Sequence, residues 1–254
     1  MLYVYGVVRA RDGADPDLAG VGQPPAEVRL ITSSSIAAAV STIPEDLVID
    51  ETAARAHLQV LIGLLDQGPV IPLRLGTIAG DENGVRAEIL DAAGGAELAQ
   101  RLDSLDGLIE LHVDADDDEA EAIAAVAAAA PRPTFERLDL ESRIAVGEQV
   151  ASLLIAHRQG LADALLRQLR PLAVRDTPRS VINGAEDPVL RWAFLVRADD
   201  VSRFDETVMG IQADYPSLSI RYVGPLPAAH FVDWDGSITQ EHTDSFTGSG
   251  KWGW

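Results

Sequence analysis

Asp66-Gln67-Gly68-Pro69-Val70-Ile71-Pro72-Leu73-Arg74-Leu75-Gly76-Thr77 is the stretch on which the reading of this chain turns, because a strand seldom holds two prolines, a lone arginine and a glycine together. Ile71, Leu73 and Leu75 alternate on one side and Arg74 falls on the other, so Val70 to Ile78 reads as a single strand. Pro72 marks it as an edge strand or a bulged one. The segment before it is a helix capped by Asp50, with Leu58, Leu61, Ile62 and Leu65 at helical spacing, and Gly68-Pro69 ends it. Further upstream stand an aromatic strand, Leu2 to Val8, a turn-rich stretch from Asp12 to Pro25, and a hairpin over Val28 to Ile43. Downstream, a helical stretch broken near Gly94-Gly95 runs to about Leu105, and Asp106-Gly107 turns the chain.

A second unit begins with the strand Leu108 to Val113, which leads through the acidic run Asp114 to Glu121 into an alanine-rich helix. The acidic residues read as a solvated helix N-terminus, where they complement the macrodipole. Beyond Pro131 and Pro133, Leu140, Ile144, Gly147, Ala151 and Leu154 form a helical stripe that Leu161, Leu165 and Leu169 continue, with a possible break at Gly160. Val181-Ile182, the turn Asn183-Gly184 and Leu190 to Val196 read as paired strands. A helix bearing Phe204, Val208 and Ile211 and a closing strand from Leu218 to Val223 complete the order. The expected fold class is α+β: two similar ferredoxin-like modules of the split βαβ kind, with antiparallel or mixed sheets and helices packed on one face. The expected domains are 1–107, 108–234 with long helices, and a disordered polar tail over 235–254.

Composition narrows the function. The 254 residues include no cysteine, which excludes disulfides, thiolate metal sites and a cysteine nucleophile. Twenty basic against forty acidic residues give a formal charge of −20, which argues against nucleic acid and anionic membrane as partners. The N-terminus does not read as a signal peptide and no apolar run reaches membrane-spanning length, so an intracellular, cytoplasmic protein is expected.

No catalytic motif emerges. The run from Asp114 to Glu119 lacks the glycine and the distal glutamate of a calcium-binding EF-hand loop. Gly248-Ser249-Gly250-Lys251 is followed by Trp252 where a phosphate-binding loop needs Ser or Thr. His57, His112, His157, His230 and His242 are scattered and propose neither a triad nor a metal triplet. A non-enzymatic protein without cofactor or metal is expected.

Three ordered motifs carry a family resemblance. The chain opens with Tyr3-Val4-Tyr5-Gly6-Val7-Val8, its first long helix is followed by Gly68-Pro69-Val70-Ile71-Pro72-Leu73-Arg74-Leu75-Gly76-Thr77, and its closing strand runs into Val223-Gly224-Pro225-Leu226-Pro227 with Phe231 after it. In these places and this order it resembles the gas vesicle protein L/F family over roughly residues 1 to 233. It departs from the family at Leu75, usually phenylalanine, at Leu226, often tryptophan, and at Ala228-Ala229, where bulkier residues are common. The resemblance implies an accessory protein for gas vesicle assembly that binds the small hydrophobic shell protein and other accessory gas vesicle proteins in the cytoplasm. Pro69, Val70, Ile71, Pro72, Leu73, Arg74, Leu75, Gly76 and Thr77 are the candidate partner-binding residues; Tyr3, Tyr5, Gly6, Gly224, Pro225, Pro227 and Phe231 are candidate structural motif residues. Two readings of the central strand stay open: an edge that pairs with a partner strand, or a core strand with a bend. Arg74 could reach a partner carboxylate or close an internal salt bridge. The competing class is a small-molecule-binding regulatory protein built from duplicated ferredoxin-like modules.

Overall fold

Strand β1 (Leu2–Arg9) organises the first unit, and Leu2 through Val8 are all buried. Since alternate strand residues point to opposite faces, a strand buried at every position must be covered on both. The computed structural model describes residues 1–11, 15–92, 94–129, 140–180 and 187–232. It divides into two compact units, Met1–Glu110 with Pro225–Trp254, and Leu111–Gly224. The chain passes into the second unit after Glu110 and returns to the first at Pro225.

In the first unit, β2 (Arg29–Ser33) and β3 (Ile36–Thr42) form the expected hairpin. Helix α1 (Glu51–Leu65) follows, then the short strands β4 (Val70–Pro72) and β5 (Ile78–Ala79). The sheet order is β2-β3-β1-β4, with β5 also on β1, and β1 is antiparallel to β3, β4 and β5. Thus β3-α1-β4 is a βαβ unit split by β1. Asp50 caps α1 by accepting the Ala53 N–H at 2.9 Å. The buried face of α1 is His57, Val60, Leu61 and Leu64, rotated from the predicted stripe of Leu58, Leu61, Ile62 and Leu65. It packs on Tyr3, Tyr5 and Val8 of β1. Tyr3 and Val8 share that face despite their odd spacing because the register slips between Val4 and Gly6, where Tyr5 is the extra residue of a bulge. The other face is covered by α3 (Gly95–Ser104) and by the π-helical turn Val85–Asp91 that extends α2 (Glu82–Gly84). Helices therefore lie on both faces of this sheet, not on one as expected.

In the second unit the sheet order is β7-β8-β6-β9, from β6 (Leu108–Asp117), β7 (Arg175–Pro178), β8 (Leu190–Arg197) and β9 (Leu218–Leu226). Helices α4 (Glu119–Ala129) and α5 (Leu140–Leu169) stand between β6 and β7, and α6 (Val201–Asp214) between β8 and β9. This is the ferredoxin-like succession βαββαβ, with β6 splitting β8-α6-β9. The first unit has the same strand order with a loop in place of the first helix, so the expectation of two similar modules is met. Phe204 of α6 anchors the helical face, its ring 5.3 Å from Phe194 and 5.8 Å from Tyr222.

Two local readings change and a third lies outside the described residues. Beside β6, β8 pairs with β7, registered from Arg175 opposite Leu195 to Pro178 opposite Trp192. The predicted Val181-Ile182 and Asn183-Gly184 hairpin lies outside the described residues, as does the tail 235–254. The acidic run is a solvated helix start only from Asp118 onward: β6 continues to Asp117, Asp114 pairs with Arg179 at 2.8 Å, Asp116 with Arg191 at 2.8 Å, and Asp117 with Arg158 at 2.7 Å. Only Asp118 acts as a cap, accepting the Glu121 N–H. The arginines lie 41 to 75 positions away, so no local pattern signals them. Finally, α5 buries Leu154, Arg158, Leu165, Leu166 and Leu169, whereas Leu140 and Ile144 of the predicted stripe are exposed.

Candidate functional site

The candidate segment is not one long strand. Val70–Pro72 pairs with β1, Leu73 to Thr77 turn away, and the chain rejoins β1 at Ile78. Leu73 N–H donates to the Tyr5 carbonyl at 2.8 Å and Val4 N–H to the Thr77 carbonyl at 2.9 Å, so both ends of the turn are tied to β1. Because backbone groups alternate in direction along a strand, Pro72 points its nitrogen away from β1, where the ladder needs no donor. Within the turn, Thr77 donates to the Arg74 carbonyl from both its N–H, at 3.1 Å, and its hydroxyl, at 2.7 Å. Gly76 has φ +85°, the value that the third position of a type II turn demands and that side-chain-bearing residues avoid.

A buried polar network holds this turn from below. Gly76 N–H donates to the Tyr3 hydroxyl at 3.1 Å, and the same hydroxyl meets His57 Nδ1 at 2.9 Å. The ring donates its other N–H to the Leu73 backbone, so in the neutral histidine Nδ1 is the acceptor and the Tyr3 hydroxyl gives its proton there. His57 is therefore neutral: burial pushes its pKa down to about 4, and the Leu73 hydrogen bond only partly offsets this. Burial likewise pushes the Tyr3 hydroxyl far up, with the Gly76 bond opposing, so it stays protonated. The Tyr3 and Tyr5 rings lie 4.9 Å apart, and His57 sits edge-on to Tyr3 at 5.6 Å.

Tyr5 extends the same scaffold. Its hydroxyl donates to Ser41 Oγ at 3.0 Å and accepts Val21 N–H at 2.8 Å, and Ser41 passes the chain on to the Glu27 carbonyl at 2.9 Å. Burial raises the Tyr5 pKa against these two hydrogen bonds. Gly6 completes the packing: a Cβ there would stand 2.7 Å from the Ile71 carbonyl oxygen, so β4 can approach β1 only at a glycine.

The structure thus separates the candidate residues into two groups. Pro69, Val70, Ile71, Pro72 and Leu73 are buried. Arg74 is exposed, Leu75, Gly76 and Thr77 are half-buried, and among the described residues the Arg74 guanidinium has no ion-pair partner. Tyr3, Tyr5 and Gly6 lie directly beneath this turn. Of the closing motif, Leu226, Pro227, Ala228 and Phe231 are buried, while Gly224 and Pro225 are exposed. Buried Glu110 fixes this returning segment, accepting His230 N–H at 2.9 Å and meeting His230 Nδ1 at 2.5 Å. Sequence reasoning missed His57 as part of the site. The available signal was its place on the buried face, one turn before Leu61.

A family model described as gas vesicle synthesis protein GvpL/GvpF matches residues 1–233. The chain is 30% identical over 240 residues to gas vesicle protein F of Streptomyces sp. (strain CB03234), covering 91% of this chain and 99% of that protein. It is also 30% identical over 252 residues to gas vesicle protein L of the same strain, covering 88% and 89%. Its fold is similar to the crystal structure of GvpF from Anabaena sp. PCC7120, with TM-score 0.79 at 21% identity over 94% of this chain and 98% of that one. The GvpF structure from Microcystis aeruginosa follows at TM-score 0.74 and 19% identity, over 91% and 98%.

Proposed function

The chain belongs to the GvpL/GvpF family of gas vesicle synthesis proteins, and from that premise we propose that it is a non-catalytic assembly factor that binds the small hydrophobic shell protein and other accessory gas vesicle proteins. Its place is the cytoplasm, in association with the growing vesicle. No helix among the described residues is long and apolar enough to cross a membrane, in keeping with a partner that meets the shell protein from water. A subunit that packs apolar faces is prone to aggregate, and a chain with a formal charge of −20 that covers such a face keeps it dispersed.

The observation that carries this reading is the turn from Arg74 to Thr77. Its backbone is locked by buried Tyr3 and His57, yet it presents an arginine and a half-buried leucine to solvent. A rigid, preorganised loop with an exposed cation is suited to binding, since little ordering entropy is lost when a partner docks. The titratable groups beside it are held protonated or neutral in structural hydrogen bonds, which supports binding over proton-transfer chemistry. Deletion of the gene in a vesicle-forming host tests the reading. Loss of vesicles, restored by the full chain and accompanied by co-purification with the shell protein, is the expected result. Normal vesicles in the deletion host together with no co-purification would overturn it.

A further inference from the structure

The exposed apolar residues of the first unit are not scattered. Ile49 lies beside the turn, its Cγ1 3.9 Å from the position a Cβ would take on Gly76. Val48, its neighbour, is 72% exposed, and Ile49 itself 36%. Ile78, 40% exposed, leaves the other end of the turn and pairs with Tyr3. Met1, 48% exposed, precedes Tyr3 by two positions and so shares its face of the sheet. Half-buried Leu75 and exposed Ile78 flank Arg74 along the chain and Ile49 stands beside Gly76 of the same turn, so apolar side chains border the arginine, whereas single exposed apolar residues on a soluble surface are ordinary.

We propose that this apolar rim around Arg74 is the docking surface for an apolar segment of the shell protein that carries one carboxylate. Charge complementarity selects that occupant. Arg74 has no ion pair among the described residues, and a carboxylate meeting its planar fork makes a bidentate contact that is strengthened once apolar side chains exclude water. Exposed Glu45 and Asp46, in the same loop as Val48, repel a polyanion, so nucleic acid and anionic lipid are disfavoured while a single acidic residue within an apolar stretch is accepted. The inference rests on the assembly role proposed above and gives that role its surface.

The test uses the full chain and the shell protein kept soluble as a fusion, with binding measured for the unmodified protein and for Arg74→Glu, Ile49→Asp and, in the second unit, Ile144→Asp. Arg74→Glu and Ile49→Asp are expected to weaken binding at least tenfold, and Ile144→Asp to leave it unchanged. A lysine scan of the shell protein's acidic residues is expected to yield one variant that recovers binding to Arg74→Glu. Arg74 and Ile49 are exposed, so unchanged thermal unfolding shows that neither variant acts through misfolding. If the unmodified protein binds and all three variants bind equally well, the surface is wrong while the assembly role stands. If the unmodified protein does not bind, the assembly role fails and this surface with it.

Discussion

Tyr3 concentrates more of the local structure than any other side chain near the turn. Removing its hydroxyl by Tyr3→Phe strands Gly76 N–H and His57 Nδ1 in a buried place. A buried polar group left without a partner costs about 1–3 kcal/mol, so urea unfolding is expected to show a loss of that size, and weaker shell-protein binding through a loosened turn. His57 adds a pH dependence. Its folded pKa, about 4, is depressed below the unfolded value of 6.5, so the unfolded state takes up the proton first. The neutral ring therefore supports the fold fully above pH 6.5, and that support is lost as pH falls from about 6.5 to about 4. Stability curves for the parent and His57→Gln should draw together as pH falls through that window, with the parent falling more steeply; parallel curves would contradict the neutral-histidine assignment. Gly6→Ala belongs to the same scale, since its methyl would be driven into the Ile71 carbonyl. Overpacking of this kind costs about 1–3 kcal/mol, readable as a lowered unfolding midpoint.

At the scale of elements, the strands and helices that sequence reasoning located best are those with a local cause. Asp50 caps α1, Phe204, Val208 and Ile211 form the buried face of α6, and the hairpin of β2 and β3 is two apolar runs parted by a serine-rich turn. The segment after α1 was legible as special, and a bend was one of its two open readings, but the place of the turn was not legible, because its shape depends on tertiary partners. Tyr5 and Val4 fix its ends, and Tyr3 and His57 hold its middle. The acidic run in β6 was misread for a related reason: carboxylates followed by an alanine-rich stretch look like a helix start until distant arginines are placed against them. Arg158 and Asp117 are the strongest case, almost fully buried and joined through Nε and Nη2. Arg158→Met leaves Asp117 buried and unpaired, and a loss of about 3–5 kcal/mol is expected in chemical unfolding. The first half of α5, where Leu140 and Ile144 are exposed, is expected to exchange its amide hydrogens faster than the half bearing Leu165, Leu166 and Leu169.

At the scale of the molecule, the absence of cysteine excludes thiol and disulfide chemistry, the formal charge of −20 disfavours polyanionic partners, and the match over residues 1–233 places the chain in its family. Two of the motifs are joined physically in this chain: the Tyr-Val-Tyr-Gly strand is the bed on which the Pro-Leu-Arg-Leu-Gly-Thr turn lies. What sequence could not show is which of those residues remain outside once the chain is folded. Burial withdraws Pro69 to Leu73 and leaves Arg74 as the exposed cation of the segment. The most direct measurement of the central claim is a hydrogen-exchange footprint of the full chain with and without the shell protein. Added protection over residues 45–50 and 73–78, with none over 140–150, is the predicted result; protection confined to the first half of α5, with the Arg74 turn unchanged, would contradict it.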